Sequence, residues 1–170
     1  MKKLYILRHA KAVQEDSGGD AARKLAPSGR KAAAAMGAFI AQQPLPPTLV
    51  LCSSAARTRE TLAQILPALQ PAPRTVYEDG LYLASPKILL QHLQDVGDDI
   101  ASVLLVAHNP GVHELALRLA RDPAKLGSGF PTCALAVFEV PGSWHALEAR
   151  TGSLTIFQTP KMLNQDLGDD

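Results

Sequence analysis

Apolar positions recur along the chain in two alternating rhythms. Short, nearly continuous runs fall at residues 4–7, 48–52, 75–77 and 103–107, and each gives way to a longer segment that reads as helix. The first run, Leu4 to Leu7, breaks off at Arg8-His9, and a polar loop containing Gly18-Gly19-Asp20 follows. Ser28 is placed to cap a helix carrying Ala32, Ala35, Met36, Phe39 and Ile40, which Pro44 stops. After Pro46-Pro47 and the second run, Ser53-Ser54 leads into a helix expected over 55–66, ending near Pro67.

The third run, at 75–77, is brief. Ser85-Pro86 then supplies a cap with proline in the first turn, opening a helix that sets Leu89 and Leu93 on one face and ends at Gly97. The fourth run, 103–107, is apolar at every position, the mark of a strand covered on both faces. Asn109-Pro110 repeats the cap-plus-proline signal for a helix through about Ala120.

Beyond this point the rhythm changes. Residues 133–140 and 145–150 flank the turn Pro141-Gly142-Ser143, which predicts an antiparallel hairpin at the sheet edge, with some further β structure at 154–157. Four strand-then-helix units followed by a hairpin predict a single α/β domain over residues 1–163. Its sheet is mainly parallel, with helices on both faces, and a polar tail occupies 164–170.

In such sheets ligands bind beyond the carboxyl ends of the strands. Three strand ends carry reactive or charged residues: Arg8-His9, then Ser53 to Arg57, then His108-Asn109. They are far apart in sequence, yet a parallel sheet brings them to one edge.

Composition narrows the function classes. Of 170 residues, 46% are hydrophobic and 19% charged, enough apolar material for a core. The formal net charge of +1 provides no general field for nucleic acid or an anionic membrane, so neither is expected as a partner. Any positive site must be local. The apolar run after Met1-Lys2-Lys3 is cut short by Arg8, too early for a signal-peptide core, and no stretch reaches the roughly 20 apolar residues of a membrane span. The expected setting is soluble and cytoplasmic. Cys52 and Cys133 fall in apolar runs and read as buried thiols, not a disulfide framework. His108 and His113 are five apart and no His-Glu-x-x-His pattern occurs, so no metal and no cofactor are expected.

Two histidines and two arginines at one edge suit phosphate chemistry. A neutral imidazole can attack phosphorus and form a phosphohistidine that water later hydrolyses. Guanidinium groups bond phosphate oxygens in a planar fork and stay charged, and a second histidine adds a polar contact to the same oxygens. Helix N-termini after the strand ends, near Ala55 and Pro110, would add amide N–H groups.

The residues that carry this chemistry also carry a resemblance. Leu7-Arg8-His9-Ala10 resembles the Arg-His-Gly/Ala signature of the histidine phosphatase (phosphoglycerate mutase-like) superfamily. Ser53-Ser54-Ala55-Ala56-Arg57-Thr58 resembles its second motif, and Val106-Ala107-His108-Asn109-Pro110-Gly111 its third. Order and spacing match over nearly the whole chain. Within the superfamily, Arg8-His9-Ala10-Lys11, Arg23-Lys24-Leu25 ahead of Ser28-Gly29, and His108-Asn109-Pro110 are similar to the short SixA-like phosphohistidine phosphatases.

That resemblance implies a phosphoglycerate mutase-like fold and a pocket of Arg8, His9, Arg57 and His108, with His9 as nucleophile. Lys11, Arg23 and Asn109 are further candidates for phosphate or substrate contacts. Relatives acting on phosphate esters draw a general acid from the loop after the third strand, which makes Glu78 the candidate here. The implied substrate is a phosphohistidine protein; the alternatives are a small phosphate ester, or a phosphate-binding module without catalysis. Cysteine-dependent phosphatases are a poorer match, because only four residues separate Cys52 from Arg57 where those enzymes need five.

Overall fold

The computed structural model describes the backbone of residues 1–166 and the side chains of residues 1–164. Six strands form one sheet: β1 (Lys2–Arg8), β2 (Leu49–Ser53), β3 (Arg74–Glu78), β4 (Ser102–Ala107), β5 (Leu135–Val140) and β6 (Ser153–Gln158). Their spatial order is β3-β2-β4-β1-β5-β6. The first four are mutually parallel, while β5 and β6 add an antiparallel hairpin at one edge. The predicted architecture of a mainly parallel sheet with an edge hairpin is therefore the observed one.

Alternation along the central strands divides the core into two layers. Tyr5, Leu7, Val50, Cys52, Leu104 and Val106 face α1 (Pro27–Ala41) and α2 (Ala56–Ile65), meeting Met36, Ile40, Leu62 and Ile65. Leu4, Ile6, Leu49, Leu51, Val103 and Leu105 face α3 (Pro86–Gln94) and α4 (Gly111–Leu119), meeting Leu89, Leu93, Leu115 and Leu119. Every residue of β4 is buried, as the apolar run 103–107 requires, and Ser102 at its start is satisfied by donating to the Pro46 carbonyl at 2.7 Å. Each fully buried Leu or Ile in these layers contributes roughly 1.5–3 kcal/mol by burial.

Several local expectations are corrected. α1 starts at Pro27, whose fixed φ suits the first turn, so Ser28 lies inside the helix and Ala26 is the N-cap without a side-chain bond. Ser85 does cap α3, accepting from the Ile88 amide at 3.3 Å, but the helix ends at Gln94 and not at Gly97. Asn109 does not cap α4: Pro110 occupies that position, and the Asn109 amide donates instead to the Phe130 carbonyl at 2.9 Å.

The hairpin partner of β5 is β6, not residues 145–150. That connecting segment is drawn inward by Trp144, which is fully buried and donates from Nε1 to the Ile100 carbonyl at 2.7 Å. Arg150, at φ 64°, ties the segment to the end of α4 through its amide and its guanidinium. Cys133 precedes β5 and adopts φ 61°, so it belongs to a loop, not to a strand. The expected polar tail begins inside α5 (Pro160–Asp166), whose Leu163 is buried, and its last four residues lie outside the described ones.

Candidate active site

The site follows from strand order. β1 lies beside β4, and β4 beside β2, so the three motif-bearing strand ends are neighbours. Arg8 pairs with Ala107 in register, so His9 and His108 leave the sheet side by side. The His9 amide donates to the Ala107 carbonyl at 3.1 Å, and the two imidazole centroids are 5.4 Å apart. This is also where the chain's direction across the sheet changes: α1 carries it from β1 toward β2, and the segment after α4 carries it from β4 to β5.

His9 is held from three sides. Its carbonyl accepts from the Cys133 amide at 2.9 Å, and the next amide, of Ala10, donates to Thr61 Oγ1 at 2.9 Å. Thr61 Oγ1 in turn donates to the Arg57 carbonyl at 2.7 Å, which locks the end of β1 to α2. The ring Nδ1 lies 2.7 Å from the Ala10 carbonyl. A carbonyl only accepts, so the proton sits on Nδ1 and the Nε2 lone pair is available. Burial, reinforced by the charges of Arg57, Arg8 and Arg23 against the opposing Ala10 bond, pushes the His9 pKa down to about 4. His108 is pushed down to about 3, first by burial and then by the Arg57 charge. Both imidazoles are neutral at neutral pH.

Arg57 is only 2% exposed. Its Nη1 and Nη2 donate to Asp20, reaching the backbone carbonyl at 2.8 Å and the carboxylate at 3.1 Å. The same carboxylate accepts from Arg23 Nε at 2.9 Å and from the Tyr82 hydroxyl. Those partners, Tyr82 foremost, hold the Asp20 carboxyl below the usual carboxylate range. Tyr82 also sets its ring edge-on to His108, with centroids 5.4 Å apart. Arg8 Nη1 shares the Phe130 carbonyl with Asn109, at 3.1 Å. His108 Nε2 lies 2.7 Å from Ser53 Oγ at the end of β2.

These side chains surround one cavity of about 340 Å³, lined by Arg8, His9, Lys11, Ala12, Asp20, Arg23, Arg57, Leu83, His108, Asn109 and Thr132. Arg8 Nε, Arg57 Nε and His108 Nδ1 are buried without a hydrogen-bond partner. Each belongs to a side chain lining the cavity, as does the unpaired acceptor Asn109 Oδ1, and the two guanidinium nitrogens are obligate donors suited to an oxyanion. Seven of the eight residues singled out in the sequence meet here. Glu78 does not. β3 is the edge strand beyond β2, and Glu78 lines a separate cavity with His92 and Asp95.

Three contributors were not legible in the sequence. Asp20 had only a faint signal, its i,i+3 spacing to Arg23. Tyr82 had none. Leu83, 54% exposed at the cavity rim, holds φ 49°, a conformation rare for a branched side chain. Cys52 points into the α1–α2 layer, and burial raises its thiol to about 12, which disfavours a thiolate nucleophile. Among the described residues, no three His, Cys, Asp or Glu side chains group as a metal site, and no helix is long and apolar enough to cross a membrane.

The sequence profile of the histidine phosphatase superfamily (branch 1) matches residues 4–81. A crystal structure of a candidate phosphohistidine phosphatase SixA from Agrobacterium tumefaciens superposes with a TM-score of 0.79. It is 32% identical and covers 94% of this chain and 98% of that one. The chain belongs to the histidine phosphatase superfamily.

Within that superfamily, a candidate SixA from Nakamurella multipartitia is 30% identical at TM-score 0.79, covering 94% of this chain and 96% of that one. An uncharacterized protein of Mycobacterium tuberculosis is 33% identical over 162 residues, covering 91% of this chain and all of the relative. Superfamily membership and the SixA-like neighbours support phosphatase chemistry. The phosphoglycerate mutase-like fold that the motifs implied is the fold observed.

Proposed function

We propose that this histidine phosphatase hydrolyses phosphohistidine on a protein, through a covalent intermediate on His9 and without a metal. The observation that carries this reading is the His9 Nδ1 contact to the Ala10 carbonyl, which leaves Nε2 as the lone-pair nitrogen of a neutral imidazole. Nε2 attacks phosphorus, and the bond from phosphorus to the substrate imidazole breaks. The electron pair stays on the substrate nitrogen, which takes a proton from solvent. Water then attacks phospho-His9, its proton passes to solvent, and the bonding pair returns to Nε2 as inorganic phosphate leaves. Arg8, Arg57 and His108 are the groups assigned to the equatorial oxygens.

Substrate choice is argued from the missing acid. Among the described residues the lone carboxylate lining the cavity is Asp20, kept ionised by Tyr82, Arg23 and Arg57 and so unable to donate a proton at neutral pH. An alkoxide leaving group needs such a donor; an imidazole leaves more readily without one. This favours a phosphoramidate bond over an ester.

Brief mixing with a histidine-phosphorylated protein, followed by an alkaline quench, tests the assignment. Acid-labile phosphate is expected on His9 and is expected to vanish in His9→Ala. No label from this donor, or from a panel of phosphate esters, would overturn it in favour of a binding module. Faster labelling by an ester would move the substrate to a small phosphate ester.

A further inference from the structure

A second cavity, of about 430 Å³, adjoins the catalytic one. Lys11 and Thr132 line both, so the two compartments form one cleft leading away from His9. One wall is a single stripe of α1: Ser28, Lys31, Ala32 and Ala35 follow the i, i+3, i+4, i+7 spacing of one helix face. The small side chains of Ala32 and Ala35 leave the width, and Pro160 at the start of α5 forms part of the opposite wall.

The cleft is positively charged along its length. Lys11 and Lys31 are both exposed, and neither ammonium group makes an ion pair or hydrogen bond among the described residues. Among the described residues the second compartment has no acidic lining residue, and the carboxylate of the first, Asp20, is already engaged by Arg57 and Arg23. A phosphoryl group alone has no use for the second compartment; a chain extending from that group would run into it.

We infer that this cleft is a docking groove for an acidic segment of the protein substrate, flanking its phosphohistidine and paired with Lys11 and Lys31. The inference rests on the proposed function and names its recognition element. The occupant is committed by charge complementarity and by continuity with the catalytic cavity. Lys31 stands apart from the reacting atoms and belongs to specificity alone.

Two synthetic phosphohistidine peptides test it, identical except that the flanking residues are Glu in one and Lys in the other. The wild-type protein is expected to favour the Glu peptide by about tenfold or more in kcat/KM, with the preference shrinking as salt rises. Lys31→Glu is expected to abolish or reverse that preference while leaving turnover of phosphoramidate within about twofold. Ala35→Trp, which fills the groove without changing charge, is expected to slow both peptides and spare phosphoramidate.

Equal rates on the two peptides, or equal losses on peptide and phosphoramidate in Lys31→Glu, would overturn the groove. Binding of both peptides to His9→Ala protein, read by fluorescence anisotropy, measures the same preference without turnover. A catalytic failure and a docking failure are thereby told apart. A dimer in sedimentation that Lys31→Glu dissolves would assign the groove to a second copy of the chain and overturn the proposal.

Discussion

Asp20 grips Arg57 twice, once through its carboxylate at 3.1 Å and once through its backbone carbonyl at 2.8 Å. Both bonds fall on the terminal nitrogens and leave Nε of Arg57 unpaired beside the imidazoles. A carboxylate in an anion pocket would be expected to repel the ligand. Here it is about half exposed and its charge is met by Arg57, Arg23 and Tyr82, which offsets the repulsion while the guanidinium is held in place.

Asp20→Ala should therefore lower kcat by about tenfold, because a loosely held fork loses alignment with the transferring group. Binding of vanadate to the free protein should change by less than about threefold, since the arginine charge remains. Steady-state kinetics and a vanadate titration check the pair of outcomes; an unchanged kcat would show that Asp20 has no orienting role.

The depressed imidazoles set a pH dependence. His9 and His108 are neutral in the folded protein, with pKa values of about 4 and about 3, against an ordinary value near 6.5 in the unfolded chain. Below pH 6.5 the unfolded state binds more protons, so folding stability should fall from pH 6.5 toward about 4 and lower. The Hε1 resonances of both rings should remain those of neutral imidazole at pH 5.5. A midpoint near 6.5 for His9 would refute the assignment of burial as the dominant influence.

Glu78→Gln should leave turnover within about twofold on both phosphohistidine and ester substrates, because Glu78 lines a different cavity from the two histidines. A loss of more than tenfold confined to esters would restore Glu78 as the acid and require the loop after β3 to move.

Thr61→Val should destabilise the protein by about 1–3 kcal/mol, since it removes a buried hydroxyl that joins the Ala10 amide to the Arg57 carbonyl and leaves the Ala10 amide unpaired, while the Arg57 carbonyl keeps its helical bond. Chemical denaturation reads that loss. Because the bridge also sets the distance from the end of β1 to α2, kcat should fall with it; Thr61→Ser should recover most of both.

Gly29→Ala should cost about 1–3 kcal/mol or more. A Cβ there would sit 2.1 Å from the Lys11 carbonyl, closer than any contact allows, so the start of α1 and the Lys11 backbone must separate. Thermal unfolding measures it, and an unchanged Tm would contradict the packing of that turn.

The sequence by itself determined the parallel sheet, because short buried runs alternating with helical segments have few other packings. It also singled out Arg8, His9, Arg57 and His108, because each sits at or just beyond the end of a strand or in the first turn of the helix after one. Local signals of this kind survive folding: a strand end stays a strand end. The edge hairpin was legible as a hairpin but not in its pairing, since burial of Trp144 and the ties from Arg150 to α4 diverted residues 145–150 from the sheet. Only the tertiary structure decided which further groups reach the pocket. Asp20 and Tyr82 arrive from separate loops whose conformations depend on contacts some 60 residues apart in sequence. Strand order set Glu78 beside Ser53 and in a different cavity from the two histidines, because β3 lies outside β2 at the sheet edge and no local pattern encodes that position.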